Sequence, residues 1–222
     1  MVWVKICGIT NREDAHAAVD AGADALGFIF AESPRRVAPL VAREIIRSLP
    51  DGVEKVGVFM NEAAERISEI VGKAGLTGVQ LHGDESLDFA AELAASFASS
   101  RPLFMIPVLP LRRIQEMAIN GGVLVKLSRG IDTILIDSVA QGKTCGSGQT
   151  WDWGMGKLLL ETFRDSVRVI AAGGLTPVNV AEAVRILHPW GVDVSSGVER
   201  EPGKKDHEKV RAFVKAAKSA QV

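Results

Sequence analysis

The chain lacks an excess of charge of either sign. Twenty-six Lys and Arg stand against 27 Asp and Glu, a formal net charge of −1. No basic surplus points to nucleic acid, and no acidic tail points to a solvating segment. Cysteine is scarce: Cys7 and Cys145 lie far apart, with no CxxC. That pattern offers neither a disulfide framework nor a zinc signature, and a reducing cytoplasm is the expected setting. No apolar run reaches roughly 18 residues, so no membrane span or membrane partner is expected. The opening "VWVKICGIT" has no basic region followed by a long apolar stretch, so no signal peptide is expected. No linker, composition shift or low-complexity segment divides the chain. The reading is one domain over residues 1–222, with 47% hydrophobic residues to fill a core.

What is present is alternation. The strand candidates are "VWVKIC", "ALGFIF", "KVGVFM", "GVQLH", "LFMIPV", "TILID", "VRVIAA" and "VDVS". Most are followed by an amphipathic segment, which is the pattern of βα units around a parallel sheet. Eight such units favour a closed α/β barrel, the (β/α)₈ TIM barrel, which takes roughly 200 to 250 residues. Asn11 is placed to cap a helix that Gly22 ends, and Asp206 to cap "HEKVRAFVKAAK". Thr176 and Pro177 offer a capping hydroxyl and a first-turn proline before "VNVAEAVRIL". The stretch from Ile119 to Asp132 is the least regular, the end of a fifth helix plus a long connection.

Barrel sites lie at the C-terminal ends of the strands. Strand one ends at Cys7, strand four at His82, strand six at Asp137, and strand eight in "DVSSG". Side chains alternate along a strand. If Val4 and Ile6 face the helices, Lys5 and Cys7 face the barrel axis; Gln80 pairs with His82, and Asp193 with Ser195, in the same way. Each has a plain alternative. Cys7 could be core packing, Asp137 a loop cap, and His82 a structural histidine. Their convergence on one mouth argues against all three being incidental.

The last two strands carry an anion-binding pattern. "AAGGL" follows strand seven, and "DVSSGVE" includes the end of strand eight. Gly173 and Gly174 let backbone amides approach an anion, and Ser195 and Ser196 add hydroxyl donors. Loops seven and eight often bind phosphate in such barrels. No Walker-type loop is present, so nothing implies a nucleotide. "ESPRRVAP" after strand two places Arg35 and Arg36 near the mouth, where one could pair bidentately with a carboxylate.

The strings "VKICGIT", "SPRRV", "VGVF", "VQLHG", "ILIDS", "GSGQTWDW", "AGGLTPVNV" and "VDVSSGVEREPGKKD" occur in that order. Together they resemble the phosphoribosylanthranilate isomerase family of tryptophan biosynthesis, over essentially the whole chain. The resemblance implies an Amadori rearrangement of N-(5-phosphoribosyl)anthranilate to 1-(2-carboxyphenylamino)-1-deoxyribulose 5-phosphate, with no metal and no cofactor. It implies Cys7 as general base, Asp137 as general acid and Arg35 for the anthranilate carboxylate. Gly173, Gly174, Asp193, Ser195, Ser196 and Gly197 would form the phosphate site, Asp193 through its backbone or by ordering the loop. Lys5, Gln80 and His82 are expected to support substrate binding, and Lys5 to favour the Cys7 thiolate. Two departures from the family pattern stand out: Cys145 where glycine is usual, and Gln149 where lysine is common. The partner is a phosphorylated small molecule, and the chain a monomer or homodimer. The rival readings are a histidine-pathway or bifunctional aminoaldose isomerase, and a non-catalytic barrel that binds a phosphorylated metabolite.

Overall fold

The apolar runs become parallel strands because they can bury both faces, one against the barrel interior and one against helices. A computed structural model describes residues 1–98, 102–110, 131–137, 157, 160, 161, 163 and 166–220. The strands are β1 (Trp3–Cys7), β2 (Ala25–Ile29), β3 (Glu54–Phe59), β4 (Gly78–Leu81), β5 (Phe104–Pro110), β6 (Thr133–Asp137), β7 (Arg168–Ala172) and β8 (Gly191–Val194). They form a closed barrel in sequence order. Closure rests on β1 against β8, with Lys5 opposite Asp193 and Ile6 opposite Val194. The barrel predicted from the alternation is therefore the observed fold. The irregular stretch 119–130, and Cys145 and Gln149 with it, lie outside the described residues.

Strand parity sorts the side chains into two cores. Ala25, Val56, Ile106, Val108, Leu135, Ile170 and Ala172 pack together inside the barrel. Val4, Ile6, Leu26, Phe28, Ile134, Ile136 and Val192 join the larger core between strands and helices. Among the described residues the helices are α1 (Arg12–Asp20), α2 (Pro39–Ile46), α3 (Ala64–Ala74), α4 (Leu87–Phe97), α5 (Val180–Leu187) and α6 (His207–Ser219). None is long and apolar enough to cross a membrane. Asn11 caps α1 by accepting from the Asp14 amide at 2.8 Å. Asp206 caps α6 by accepting from the Glu208 and Lys209 amides. Phe213 on α6 is fully buried, and deleting such a ring typically costs about 3–5 kcal/mol.

Two local expectations change. Thr176 does not cap α5: that helix starts at Val180, and the Thr176 hydroxyl has no hydrogen-bond partner among the described residues. Asn179 organises the turn instead, its Oδ1 accepting from the Thr176 amide while its Nδ2 donates to the Gly174 carbonyl. After β8 a short antiparallel hairpin appears that alternation does not reveal: β9 (Glu199–Glu201) and β10 (Lys204–Lys205). It sets Lys205 opposite Glu199. The floor of the barrel, at the opposite end from these loops, is aromatic. Trp3 stacks on Trp190 with centroids 5.0 Å apart, and the Arg168 guanidinium lies 4.8 Å from the centre of the Trp190 ring.

Candidate active site

The C-terminal mouth holds a cavity of about 270 Å³. Strand ends supply Cys7, Asp137 and Asp193, and the residue after β4 supplies His82; all four line it. So do Arg35, Gln80, Gly173, Gly174, Ser195, Ser196 and Gly197. The residues singled out from strand parity thus meet in one place. Lys5 is the exception. Its side chain is fully buried and does not line the cavity, so it lies beneath the floor and not among the contact residues.

Lys5 Nζ donates to Asp193 Oδ1 at 3.0 Å, across the β1–β8 seam that closes the barrel. Removing one partner of a buried pair like this typically costs about 3–5 kcal/mol. Burial pulls the Lys5 ammonium down, but Asp193 and the adjacent thiol outweigh it and hold the pKa above its usual value. The Cys7 thiol is also buried. Burial pushes it up, Lys5 pulls it down, Asp193 pushes it up again, and Lys205 pulls it down; the net direction is upward. Gly27 on β2 is what lets the two side chains lie together. A Cβ there would fall 2.7 Å from Cys7 Sγ and 3.0 Å from Lys5 Nζ.

Across the cavity, Gln80 Nε2 and His82 Nδ1 are 3.2 Å apart, and His82 Nε2 lies 3.7 Å from Asp137 Oδ2. A carboxyl group and an imidazole therefore share the wall that β4 and β6 provide. At the β7–β8 end, Gly173 and Gly174 have φ of 94° and 66°, left-handed values that other residues rarely adopt. They turn the chain sharply at the mouth. Gly197 passes so close to this turn that a Cβ would sit 1.9 Å from the Leu175 carbonyl oxygen. Ser195 Oγ is buried with no hydrogen-bond partner among the described residues. An unsatisfied buried hydroxyl is costly, and a bound anion would satisfy it.

Arg35 is held from behind. Its Nε and one terminal nitrogen donate to the two carboxylate oxygens of Glu199 at 2.8 and 2.7 Å. One bidentate edge of the guanidinium is thus committed to the protein, which fixes its plane. Arg36 is exposed and does not line the cavity. Glu199 also accepts from Lys205 Nζ at 2.9 Å. Burial pushes the Glu199 carboxyl up, yet Arg35 and Lys205 together hold it below the usual range. Sequence reasoning assigned no role to Glu199 or Lys205. The signal available was the Pro-Gly turn between an acidic and a basic residue in "EREPGKK". No group of His, Cys, Asp and Glu among the described residues could hold a metal ion.

A closed (β/α)₈ barrel that brings a thiol, a carboxyl group and an imidazole to one cavity has the architecture of a barrel enzyme, with its site on the face where such enzymes act. A family model described as N-(5'-phosphoribosyl)anthranilate (PRA) isomerase matches residues 4–216. The N-(5'-phosphoribosyl)anthranilate isomerase of Thermotoga neapolitana is 44% identical over 220 residues, spanning 98% of this chain and 99% of the relative. The crystal structure of phosphoribosyl anthranilate isomerase from Thermotoga maritima superposes with a TM-score of 0.82 at 42% identity, covering 98% of this chain and 99% of that one. A second crystal structure is of a phosphoribosyl anthranilate isomerase in complex with reduced 1-(o-carboxyphenylamino)-1-deoxyribulose 5-phosphate. It is 40% identical, with a TM-score of 0.79 and coverage of 98% and 99%. This chain belongs to the N-(5'-phosphoribosyl)anthranilate isomerase family.

Proposed function

We propose that this isomerase converts N-(5-phosphoribosyl)anthranilate to 1-(2-carboxyphenylamino)-1-deoxyribulose 5-phosphate, with Asp137 as general acid and Cys7 as general base. The observation that carries the reading is the cavity itself. Cys7 and Asp137 line it together with a guanidinium and with an unpartnered Ser195 hydroxyl next to two left-handed glycines. Those features match the three parts of the molecule: a carboxylate, a sugar to be isomerised and a phosphate.

The chemistry follows from the groups. Asp137 protonates the ring oxygen as the C1′–O bond breaks, and the nitrogen lone pair forms the iminium. Cys7, as thiolate, removes the C2′ proton. The freed electron pair forms the C1′–C2′ double bond and neutralises the nitrogen. The enolamine then takes a proton at C1′ and loses the hydroxyl proton to give the ketone. Burial disfavours the thiolate, and the positive iminium beside C2′ favours it at the moment it is needed. Holding the phosphate and the carboxylate at opposite ends keeps C2′ between acid and base, which converts binding energy into orientation. We assign the carboxylate to Arg35, whose plane Glu199 fixes in advance, and the phosphate to Gly173, Gly174, Ser195, Ser196 and Gly197, with Asp193 ordering the loop. His82 and Gln80 are assigned to the substrate wall.

The reaction is placed in the cytoplasm, and the chain is taken as a monomer or homodimer; a Thermotoga maritima relative 39% identical is dimeric and has also been solved as monomers. The test is direct: incubation with N-(5-phosphoribosyl)anthranilate, followed through the fluorescence of its anthranilate ring. Turnover supports the proposal. No turnover by folded protein, or preference for the histidine-pathway aminoaldose, overturns it. Complementation of a tryptophan-requiring isomerase mutant separates an enzyme from a barrel that only binds the metabolite.

A further inference from the structure

Lys205 is a buried charge with no part in the chemistry above. Its side chain has no solvent exposure. Its position is fixed on every side. The backbone amide donates to Asp14 Oδ2 at 2.8 Å, and Nζ donates to Glu199 Oε1 at 2.9 Å and to the Ser195 carbonyl at 3.1 Å. Gly8, the residue after Cys7, packs directly on this group. A Cβ at Gly8 would lie 2.8 Å from Arg35 Cδ, 3.0 Å from Ser195 Oγ and 3.5 Å from Lys205 Nζ. One ammonium group therefore bonds the loop that carries Ser195 and the carboxylate that holds Arg35, and lies near the turn that follows the thiol strand.

Burying a lysine is expensive, and an apolar residue of similar length would fill the space at lower cost. We propose that Lys205 is a positioning residue of the isomerase reaction: it ties the Ser195 loop to the carboxylate that holds Arg35 and supplies the positive charge against which the Cys7 thiolate forms. This rests on Cys7 acting as the base. Burial pulls the Lys205 ammonium down, Glu199 and Cys7 raise it, and Arg35 lowers it; the net direction is downward. The charged groups around the thiol come from every neighbouring element. Lys5 shares β1, Asp193 sits on β8, Glu199 and Lys205 on the hairpin, Arg35 on the loop after β2, and His82 and Asp137 across the cavity. Lys5 is bonded to Asp193 and Lys205 to Glu199, so each cation near the thiol has its own carboxylate partner. Lys205 is the second cation that lowers the thiol.

The test uses the full chain in a Cys145→Ala background, so that Cys7 is the sole thiol. Its ionisation is followed by the pH dependence of iodoacetamide alkylation, with Cys7→Ala as blank. Lys205→Gln keeps donors toward Glu199 and the Ser195 carbonyl but removes the charge. Its alkylation midpoint should rise by about one pH unit and kcat near neutral pH should fall about tenfold, with KM changed less than about twofold. Lys205→Arg keeps the charge and should hold the midpoint near that of the parent, which also tests the idea if Lys205→Gln does not fold. A fall in kcat with an unmoved midpoint in Lys205→Gln, or a midpoint in Lys205→Arg raised as far as the loss of charge predicts, overturns the proposal. The alkylation readout does not depend on turnover. Full activity in Cys7→Ala would therefore end the base assignment separately, whatever the midpoints show.

Discussion

Gly197→Ala tests whether the loops after β7 and β8 form one anion site. The added Cβ would stand 1.9 Å from the Leu175 carbonyl oxygen and 3.0 Å from its carbon. A carbon and a carbonyl oxygen settle no closer than about 3.3 Å. The two segments must therefore part by about 1.4 Å, the difference of those distances. The two nearest atoms belong to Leu175 backbone, so no flexible side chain can absorb the clash. Overpacking of this kind costs about 1–3 kcal/mol, and a backbone clash belongs at the upper end. For a chain of this size, about 3 kcal/mol lowers Tm by about 6–12 °C. A misplacement near 1 Å can reduce catalysis about a hundredfold, and here it falls on the groups assigned to phosphate. Thermal melts with and without inorganic phosphate, beside kcat/KM from anthranilate fluorescence, read both effects. Gly72→Ala is the control. Gly72 lies exposed in α3 with nothing within 4 Å of an added Cβ, so alanine there should stabilise by about 0.5–1 kcal/mol and leave kcat/KM alone. If Gly197→Ala melts within about two degrees of the parent and turns over normally, the argument from loop contact is wrong.

Cys7→Ala and Asp137→Asn should each lower kcat by at least about a hundredfold while the circular dichroism stays native; near-normal kcat in either folded variant removes that residue from the mechanism. Arg35→Ala should mainly raise KM, and Arg36→Ala, at an exposed position, should change little; the reverse pattern would move the carboxylate contact by one residue. Stability should also depend on pH through Glu199. Its carboxyl is held below the usual value of 4.5, so the folded state binds this proton less readily than the unfolded chain. The stabilisation is present above that value and is lost as pH falls through the folded-state pKa. Urea melts between about pH 3 and 7 should show this loss in the parent and its reduction in Glu199→Gln; equal slopes in both chains would contradict it.

The eight strands and their order could be read from the chain because the signals are local. A run such as "TILID" excludes water from both faces of a strand, and parity then fixes which side chains point inward. That is why Cys7, Gln80, His82 and Asp193 could be placed on the mouth side before any coordinates. The glycine pair at 173–174 was legible for the same reason, since its backbone geometry is a property of the residue type. Roles tied to the resemblance, such as Asp137 as acid, came from whole strings and not from any single spacing.

Tertiary structure decided the rest, because the deciding interactions join residues far apart in sequence. Lys5 meets Asp193 only when β1 closes on β8, and that contact puts the ammonium under the cavity floor instead of in it. Glu199 reaches Arg35 across 164 positions and Lys205 across a hairpin turn. Nothing in the periodicity of either segment encodes such a pairing. The α5 turn is the local exception: Asn179 organises it in place of Thr176 because its side chain can bond the Thr176 amide and the Gly174 carbonyl together. The sequence by itself determined the barrel and the strand ends that face its mouth, through short-range patterning of apolar and polar residues. Only closure of the barrel decided which buried charges face one another, since Coulomb interactions between distant segments exist only once the fold has brought them within a few ångströms.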